Sequence, residues 1–227
     1  LFATAKNRLI PQPKGVIGLV SPWNYPLSLA VTDALPALMA GNCVILRPDL
    51  QSPLCALAGV ELLKMAGLPD AVLQVVLGSG STIGAAVLDH ADYVCFTGST
   101  PTGRRVAQAA AVRLVGASLE LGGKNSVYVA DDADLDRAVP GALRACFSSA
   151  GQLCISTERL LVHEKVWDAF VPRFVAAVKA MKIGRALEFG FGIGSLAWPA
   201  QLRTGTSQVE DAGARGGRSG GSGSSGC

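Results

Sequence analysis

The sequence has no Cys-x-x-Cys pair among its six cysteines and holds only two histidines, His90 and His163. Zinc clusters and thiol-redox sites both need closely spaced ligands of that kind, so neither is expected and no metal is assigned. Charged residues make up 16% of the chain with a net charge of +3, and Arg104-Arg105 is the one adjacent basic pair. Nothing in that pattern neutralises a run of phosphates, which argues against a nucleic-acid surface. No apolar run is long enough to cross a bilayer, because polar residues or prolines break the longest ones. Lys6, Asn7 and Arg8 interrupt a weakly apolar opening, so no secretory signal is read there. Unpatterned thiols in such a chain fit a reducing, cytoplasmic compartment.

What is present is apolar and periodic. Hydrophobic residues are 49% of the 227, a globular composition with room for one sizeable core or parts of two domains. Short apolar runs at 16–20, 42–46, 71–77 and 93–96 alternate with helix-period segments at 27–39, 53–66, 82–88 and 101–111. That alternation predicts an α/β fold on a parallel sheet covered on both faces. Gly41-Asn42 and Gly67-Leu68-Pro69 are placed as helix stops. Beyond 119–123 the pattern predicts strand 126–129, helix 134–150, strand 159–163 and helix 166–181. Asp131, Asp132 and Asp134 favour the positive start of the first of these helices. Trp167, Phe170, Val171, Phe174, Val178 and Met181 form a stripe expected to face a core. Cys43, Cys55, Cys95 and Cys146 lie in apolar runs and are read as buried thiols. From about residue 205 onward Gly, Ser and Arg dominate, a composition expected to stay disordered.

Several stretches carry possible chemistry. "LGSGSTIGAAV" (77–87) and "FTGSTPTGRRV" (96–106) put glycines between a strand and a helix. Backbone N–H groups and a positive helix end can face a pyrophosphate there, although tight turns explain each loop about as well. Asn24, within "SPWNYP" (21–26), offers an amide for hydrogen bonding or for turn geometry. Glu120 stands in a short apolar run, where a carboxylate is either paired or functional. Cys154, after Gly151-Gln152, is either a small hydrophobe or a nucleophile. A thiolate could add to a carbonyl while Asn24 and a backbone N–H hold the oxyanion.

The set PWNYP, RPDLQSP, FTGSTPTG, LELGGKN and GQLC, in this order, resembles the NAD(P)-dependent aldehyde dehydrogenase superfamily. The wording around Asn24 and Cys154 is most similar to its succinate-semialdehyde dehydrogenase-like members. The resemblance implies a Rossmann-like, parallel-sheet cofactor domain followed by the start of an α/β catalytic domain, the fold being truncated. It implies that Cys154 forms a thiohemiacetal with an aldehyde and that Asn24 with the Cys154 N–H makes the oxyanion hole. After hydride transfer Glu120 would activate the water that releases the acid. Trp23 and Asn24 would border the nicotinamide end and Leu121 would lie beside it. Arg47, Pro48, Asp49 and Leu50 would follow the strand that holds the adenosine ribose, and Gly98 and Ser99 would face the pyrophosphate.

The chain also departs from the family pattern. Arg47 replaces a frequent lysine, with the same charge and a different reach. Leu50 replaces a glutamate that binds both ribose hydroxyls in many NAD-preferring members, so either NAD or NADP is expected as cofactor, with Asp49 still nearby. Asp33 stands where many relatives have a lysine linked to the base, and Ser149 replaces a frequent asparagine. A Glu-x-Phe-Gly-Pro segment and an N-terminal region of the family are not found. The expected organisation is the end of an oligomerisation arm over 1–12, the NAD(P)-binding domain over 13–123, the start of the catalytic domain over 124–204 and a disordered tail over 205–227. The function implied is oxidation of a small aldehyde in a homo-oligomeric parent. The alternative is an inactive remnant that binds nucleotide or intact subunits.

Overall fold

The computed structural model describes residues 8–184, 190 and 192–217. Two compact units divide between Gly122 and Gly123. Residues 1–7 of the expected arm and 218–227 of the expected tail lie outside the described residues.

The first unit is built on β1 (Val16–Ser21), β2 (Cys43–Pro48), β3 (Leu73–Val75), β4 (Tyr93–Gly98) and β5 (Gly116–Leu121). All pair in parallel, in the order β3-β2-β1-β4-β5. The inner strands read as nearly continuous apolar runs because helices cover both of their faces. α1 (Pro26–Met39) and α2 (Pro53–Met65) bring Ala30, Ala34, Ala56 and Val60 onto Ile17, Leu19, Val44 and Leu46. α3 (Ala85–His90) and α4 (Thr100–Val112) bring Leu88 and Val106 onto Val20, Val94 and Phe96 of the opposite face.

Local chemistry sets the ends of these helices. Pro26, Pro53 and Pro101 stand in the first turns of α1, α2 and α4, where a missing N–H costs nothing. Gly41 follows α1 in the left-handed region, and the Asn42 N–H closes back on the Ala37 carbonyl at 3.0 Å. The Asn42 side chain also accepts from the Lys14 and Gly15 N–H groups at 2.6 and 3.1 Å. One buried amide therefore fixes the exit of α1 to the entry of β1. Gly67 ends α2 in the same way, with the Leu68 N–H on the Leu63 carbonyl at 3.0 Å.

Some expectations need correction. The strand expected over 71–77 is only Leu73–Val75, because Ala71 is left-handed at φ 71°. Gly80–Gly84 then forms a π turn before α3. Cys43 and Cys55 are exposed, and Cys95 and Cys146 are half-buried. Cys43 opens β2, and Cys55 faces outward on α2, whose buried positions are Ala56, Gly59 and Val60. The sheet is not fully covered either: β5 is its edge strand and exposes Gly116, Ala117, Ser118 and Glu120.

In the second unit β6 (Asn125–Val129) pairs in parallel with β7 (Thr157–Val162). α5 (Leu135–Phe147) and α6 (Glu164–Lys179) close a core of Val129, Val139, Ala142 and Phe170. The Asp134 carboxylate caps α5 by accepting from the Asp136 N–H at 3.0 Å. α5 stops at Phe147 rather than running to 150, because Ser149 and Ala150 turn left-handed. Trp167, expected in the core, is exposed. A larger correction concerns the chain from 205: α7 (Pro199–Ala214) is helical through the start of the region expected to be disordered. Pro199 starts it and Arg215 pairs with Asp211 one turn back at 2.9 Å. The Gly- and Ser-rich composition that suggested disorder is concentrated further on. Among the described residues no helix is long and apolar enough to cross a membrane, and no group of His, Cys, Asp or Glu could hold a metal ion.

Candidate active site

Parallel strands all point one way, so the loops after β1, β2, β3 and β4 gather at one edge of the first sheet. β1 lies between β2 and β4, and the connections leave it in opposite directions, which opens a crevice at that strand's carboxyl end. Trp23 and Asn24 follow β1 directly and are both half-buried. The Ser52 hydroxyl donates to the Trp23 carbonyl at 3.1 Å, tying this loop to the one after β2.

At the end of β2, Arg47 and Pro48 are buried and Leu50 is exposed. Arg47 donates from Nε and Nη2 to the Gly78 carbonyl at 3.1 and 2.8 Å. Its remaining nitrogen, Nη1, lies 4.0 Å from Asp49, whose carboxylate also accepts from the Gln51 N–H at 2.9 Å. The guanidinium expected at a ribose is thus turned onto the loop after β3. That loop is drawn tight, since any Cβ at Gly78 would run into the Ile83 side chain. The Ser79 hydroxyl meets those of Ser81 and Thr82 at 3.0 and 2.9 Å and accepts from the Thr82 N–H. Beneath it a cavity of about 190 Å³ is lined by Ile45, Val76, Ile83, Ala86, Val87 and His90.

Gly98 ends β4 and Ser99 precedes α4, with the Ser99 hydroxyl donating to Thr102 Oγ1 at 3.1 Å. A Cβ at Gly98 would stand 2.7 Å from the Phe96 ring, and one at Gly103 would strike Leu121. The Leu121 side chain therefore packs under α4 with the core of that face.

Glu120 and Leu121 belong to β5, opposite Thr97 and Gly98 of β4. The carboxylate of Glu120 lies toward α1, at a cavity of about 240 Å³ that Asp33 and Cys95 also line. Burial, and then the Glu120 charge, hold the Asp33 carboxyl above its ordinary range. Burial, and then the Asp33 charge, push the Cys95 thiol up.

Cys154 lies in the second unit, exposed, in a turn closed by the Ser156 N–H on the Leu153 carbonyl at 3.2 Å. Ser149, Ala150 and Gly151 before it are all left-handed, at φ 52°, 56° and 73°. Asn125 on β6 donates to the Cys154 and Ser156 carbonyls at 2.6 and 3.0 Å. The buried Ser156 hydroxyl donates to the Cys146 carbonyl at 3.2 Å.

Residues 3–226 match the aldehyde dehydrogenase family as a whole. The chain belongs to that family.

This family member is 52% identical over 211 residues to the "Putative succinate-semialdehyde dehydrogenase, NADP(+), 2" of Mycobacterium tuberculosis, across 93% of the chain and 41% of that protein. It is 41% identical over 200 residues to betaine aldehyde dehydrogenase 1 of Oryza sativa, across 87% of the chain and 40% of that protein. The betaine aldehyde dehydrogenase of Staphylococcus aureus, solved with NAD+, superposes with a TM-score of 0.86 at 33% identity, over 90% of this chain and 41% of that one. The chain thus spans about two fifths of the length of the curated relatives it matches.

Within the first unit of this aldehyde dehydrogenase family member, Trp23, Asn24, Arg47, Pro48, Asp49, Leu50, Gly98, Ser99 and Leu121 all come to the carboxyl edge of one sheet. Sequence reasoning missed Asn125, although it stands inside the LELGGKN motif. It missed the Ser79 hydroxyl cluster too, where Ser-x-Ser-Thr just ahead of a helix was a usable capping signal.

Proposed function

We propose that the chain carries the dinucleotide layer and the nucleophile of an enzyme that oxidises an aldehyde to its carboxylic acid with NAD(P), succinate semialdehyde being the favoured substrate. The strand order β3-β2-β1-β4-β5 supports this most strongly. In open α/β sheets a ligand lies outside the carboxyl ends where the order reverses, and the loops bearing Asn24 and Ser99 flank that point.

The residues there fit a dinucleotide. Gly98 carries no side chain at the strand end, and α4 starts beside it with the positive end of its dipole, an arrangement suited to a pyrophosphate. Arg47 to Leu50 would hold the adenosine ribose, and Trp23 and Asn24 the nicotinamide end. Arg47 does so indirectly, by fixing the Gly78 loop. Leu50 places no carboxylate against a 2′-phosphate, which favours acceptance of NADP as well as NAD. When bound, the cofactor supplies the acceptor for the hydride that the aldehyde carbon loses.

The protein's own groups do the rest. The Cys154 sulfur attacks the carbonyl carbon, and sulfur serves afterwards as a good leaving group. The Asn24 amide and the Cys154 N–H hold the oxyanion. Glu120 takes the proton of the water that cleaves the thioester and frees the acid.

Incubating the chain with succinate semialdehyde and NADP+ or NAD+, and following absorbance of the reduced cofactor, tests the reading. Turnover lost in Cys154→Ala with nucleotide affinity retained supports it. Glu120→Gln should slow turnover by about 10²–10⁴-fold. The second reading is nucleotide binding without turnover, which the first unit with Asn24 and Ser99 at its carboxyl edge would support by itself. Affinity for NADP+ in a chain that never reduces it would select that one.

A further inference from the structure

The turn that carries Cys154 has both of its peptide planes pinned. The Ser156 N–H donates to the Leu153 carbonyl at 3.2 Å, which sets the plane between Leu153 and Cys154. Across a trans peptide the C=O and N–H point in opposite directions, so the same bond aims the Cys154 N–H. The next plane, between Cys154 and Ile155, is set by the Cys154 carbonyl, which accepts from Asn125 Nδ2 at 2.6 Å. The second hydrogen of that NH2 group goes to the Ser156 carbonyl at 3.0 Å. Both neighbours are acceptors, so only the NH2 end of the amide can face them.

Asn125 does this from beside a register shift. It opens β6 opposite Thr157, while Ser126 lies opposite Arg159, which leaves Glu158 as the extra residue on β7. Such a bulge bends its strand and re-aims nearby side chains. Lys124 pairs with Glu158 at the same place, and the ladder continues from Ser126 to Val129. The two strands therefore stay matched without the Asn125 side chain. On the other side of the turn the buried Ser156 hydroxyl donates to the Cys146 carbonyl at 3.2 Å. Asn125 is half-buried and Cys154 exposed. Water competes for carbonyls at such a turn, so the two amide bonds add modest net stability. Their consequence is directional, because a nucleophile and an oxyanion donor act only within a narrow range of positions.

We propose that Asn125 is the positioning residue of the nucleophile turn. It holds the plane after Cys154 directly and the plane before it through Ser156, and so aims the Cys154 N–H at the oxyanion. The inference rests on Cys154 being the nucleophile; the grip on the turn does not.

Two reagents applied to the 227-residue chain separate aim from exposure. With p-nitrophenyl acetate the Cys154 thiol gives up its proton to solvent, its sulfur bonds the acetyl carbon, and nitrophenolate leaves with the electron pair of the broken C–O bond. That step needs an oxyanion donor and no hydride acceptor. Iodoacetamide is attacked at a saturated carbon and forms no oxyanion. Mass spectrometry follows both reactions at Cys154, with the exposed Cys43 and Cys55 as internal references and circular dichroism as the check on folding. Asn125→Leu keeps the side chain's shape and removes both donors. It should slow acetylation of Cys154 by about tenfold to a hundredfold with alkylation unchanged. Asn125→Ala should do the same, and Asn125→Gln, which keeps the NH2 group, should recover part of the rate. Acetylation that ignores Asn125→Leu, or two reactions that fall together, overturns the proposal. Hydrogen exchange at the Ser156 N–H reads the grip without any chemistry at sulfur, and should quicken by roughly two- to tenfold in Asn125→Leu. A wild-type Cys154 that acetylates no faster than Cys43 and Cys55 refutes the nucleophile, and the grip then stands if exchange quickens and falls if it does not.

Discussion

Arg47 shows how far a residue's type and its use can diverge. Its two bonds to the Gly78 carbonyl join the ends of β2 and β3, and Arg47 itself is buried. Arg47→Met leaves that carbonyl without these donors, and urea unfolding should register a loss of about 1–3 kcal/mol. Arg47→Lys keeps a donor and should lose less. The sequence could reveal the charge at this position but not its partner, because the partner lies 31 residues away and the bond depends on how two loops meet. Asn24, Glu120 and Cys154 were singled out on a different ground, since each lies in a short local run that carries the family resemblance. Asp33 permits a pH argument. Its folded proton affinity is raised by burial and by Glu120, so the stability it confers is full below the ordinary Asp range and is lost as pH rises through the folded value. Asp33→Asn escapes that loss. Thermal melts should place the variant level with wild type near about pH 3 and above it at neutral pH.

Among the elements, helix stops were the most readable, because Gly41 and Gly67 announce the left-handed closures that the structure contains. The end of α5 was not readable, since Ser149 and Ala150 carry no such mark and yet turn left-handed. An L-residue there costs about 1–2 kcal/mol. Ala150→Gly should therefore stabilise the chain, by up to about 1 kcal/mol after the entropy of the more flexible unfolded chain is subtracted. Ala109→Gly, inside α4, should cost about 1 kcal/mol. Opposite signs for one chemical change, measured by urea unfolding, test the backbone assignment directly. Gly103 offers a complementary case. Its missing Cβ lets α4 sit against Leu121, and Gly103→Ala should cost about 1–3 kcal/mol by overpacking. The same variant should weaken NADP+ affinity, because the start of α4 shifts away from Gly98. Unchanged affinity would separate the helix from nucleotide binding.

At the scale of the whole molecule, alternation alone revealed the parallel α/β architecture, but not which strand faces stay bare. In the second unit Val129, Leu160 and Val162 point into the core, and the opposite side of the β6–β7 pair carries Tyr128 and Leu161, which are 60% and 54% exposed. Parallel sheets are ordinarily covered on both faces, and among the described residues these two strands pair only with each other. Bare apolar side chains beside open strand edges invite association. Tyr128 and Leu161 are register partners, so Tyr128→Glu with Leu161→Lys places opposite charges across the pair and keeps the strands matched. Sedimentation velocity should show the wild-type chain forming larger species as its concentration rises and the double variant remaining small, with superimposable far-ultraviolet circular dichroism. Equal association of the two proteins would mean that this face is not the adhesive one. The exposed apolar side chains of α2, Leu54, Leu62 and Met65, would then be the next to change, since this one helix leaves three large apolar groups bare.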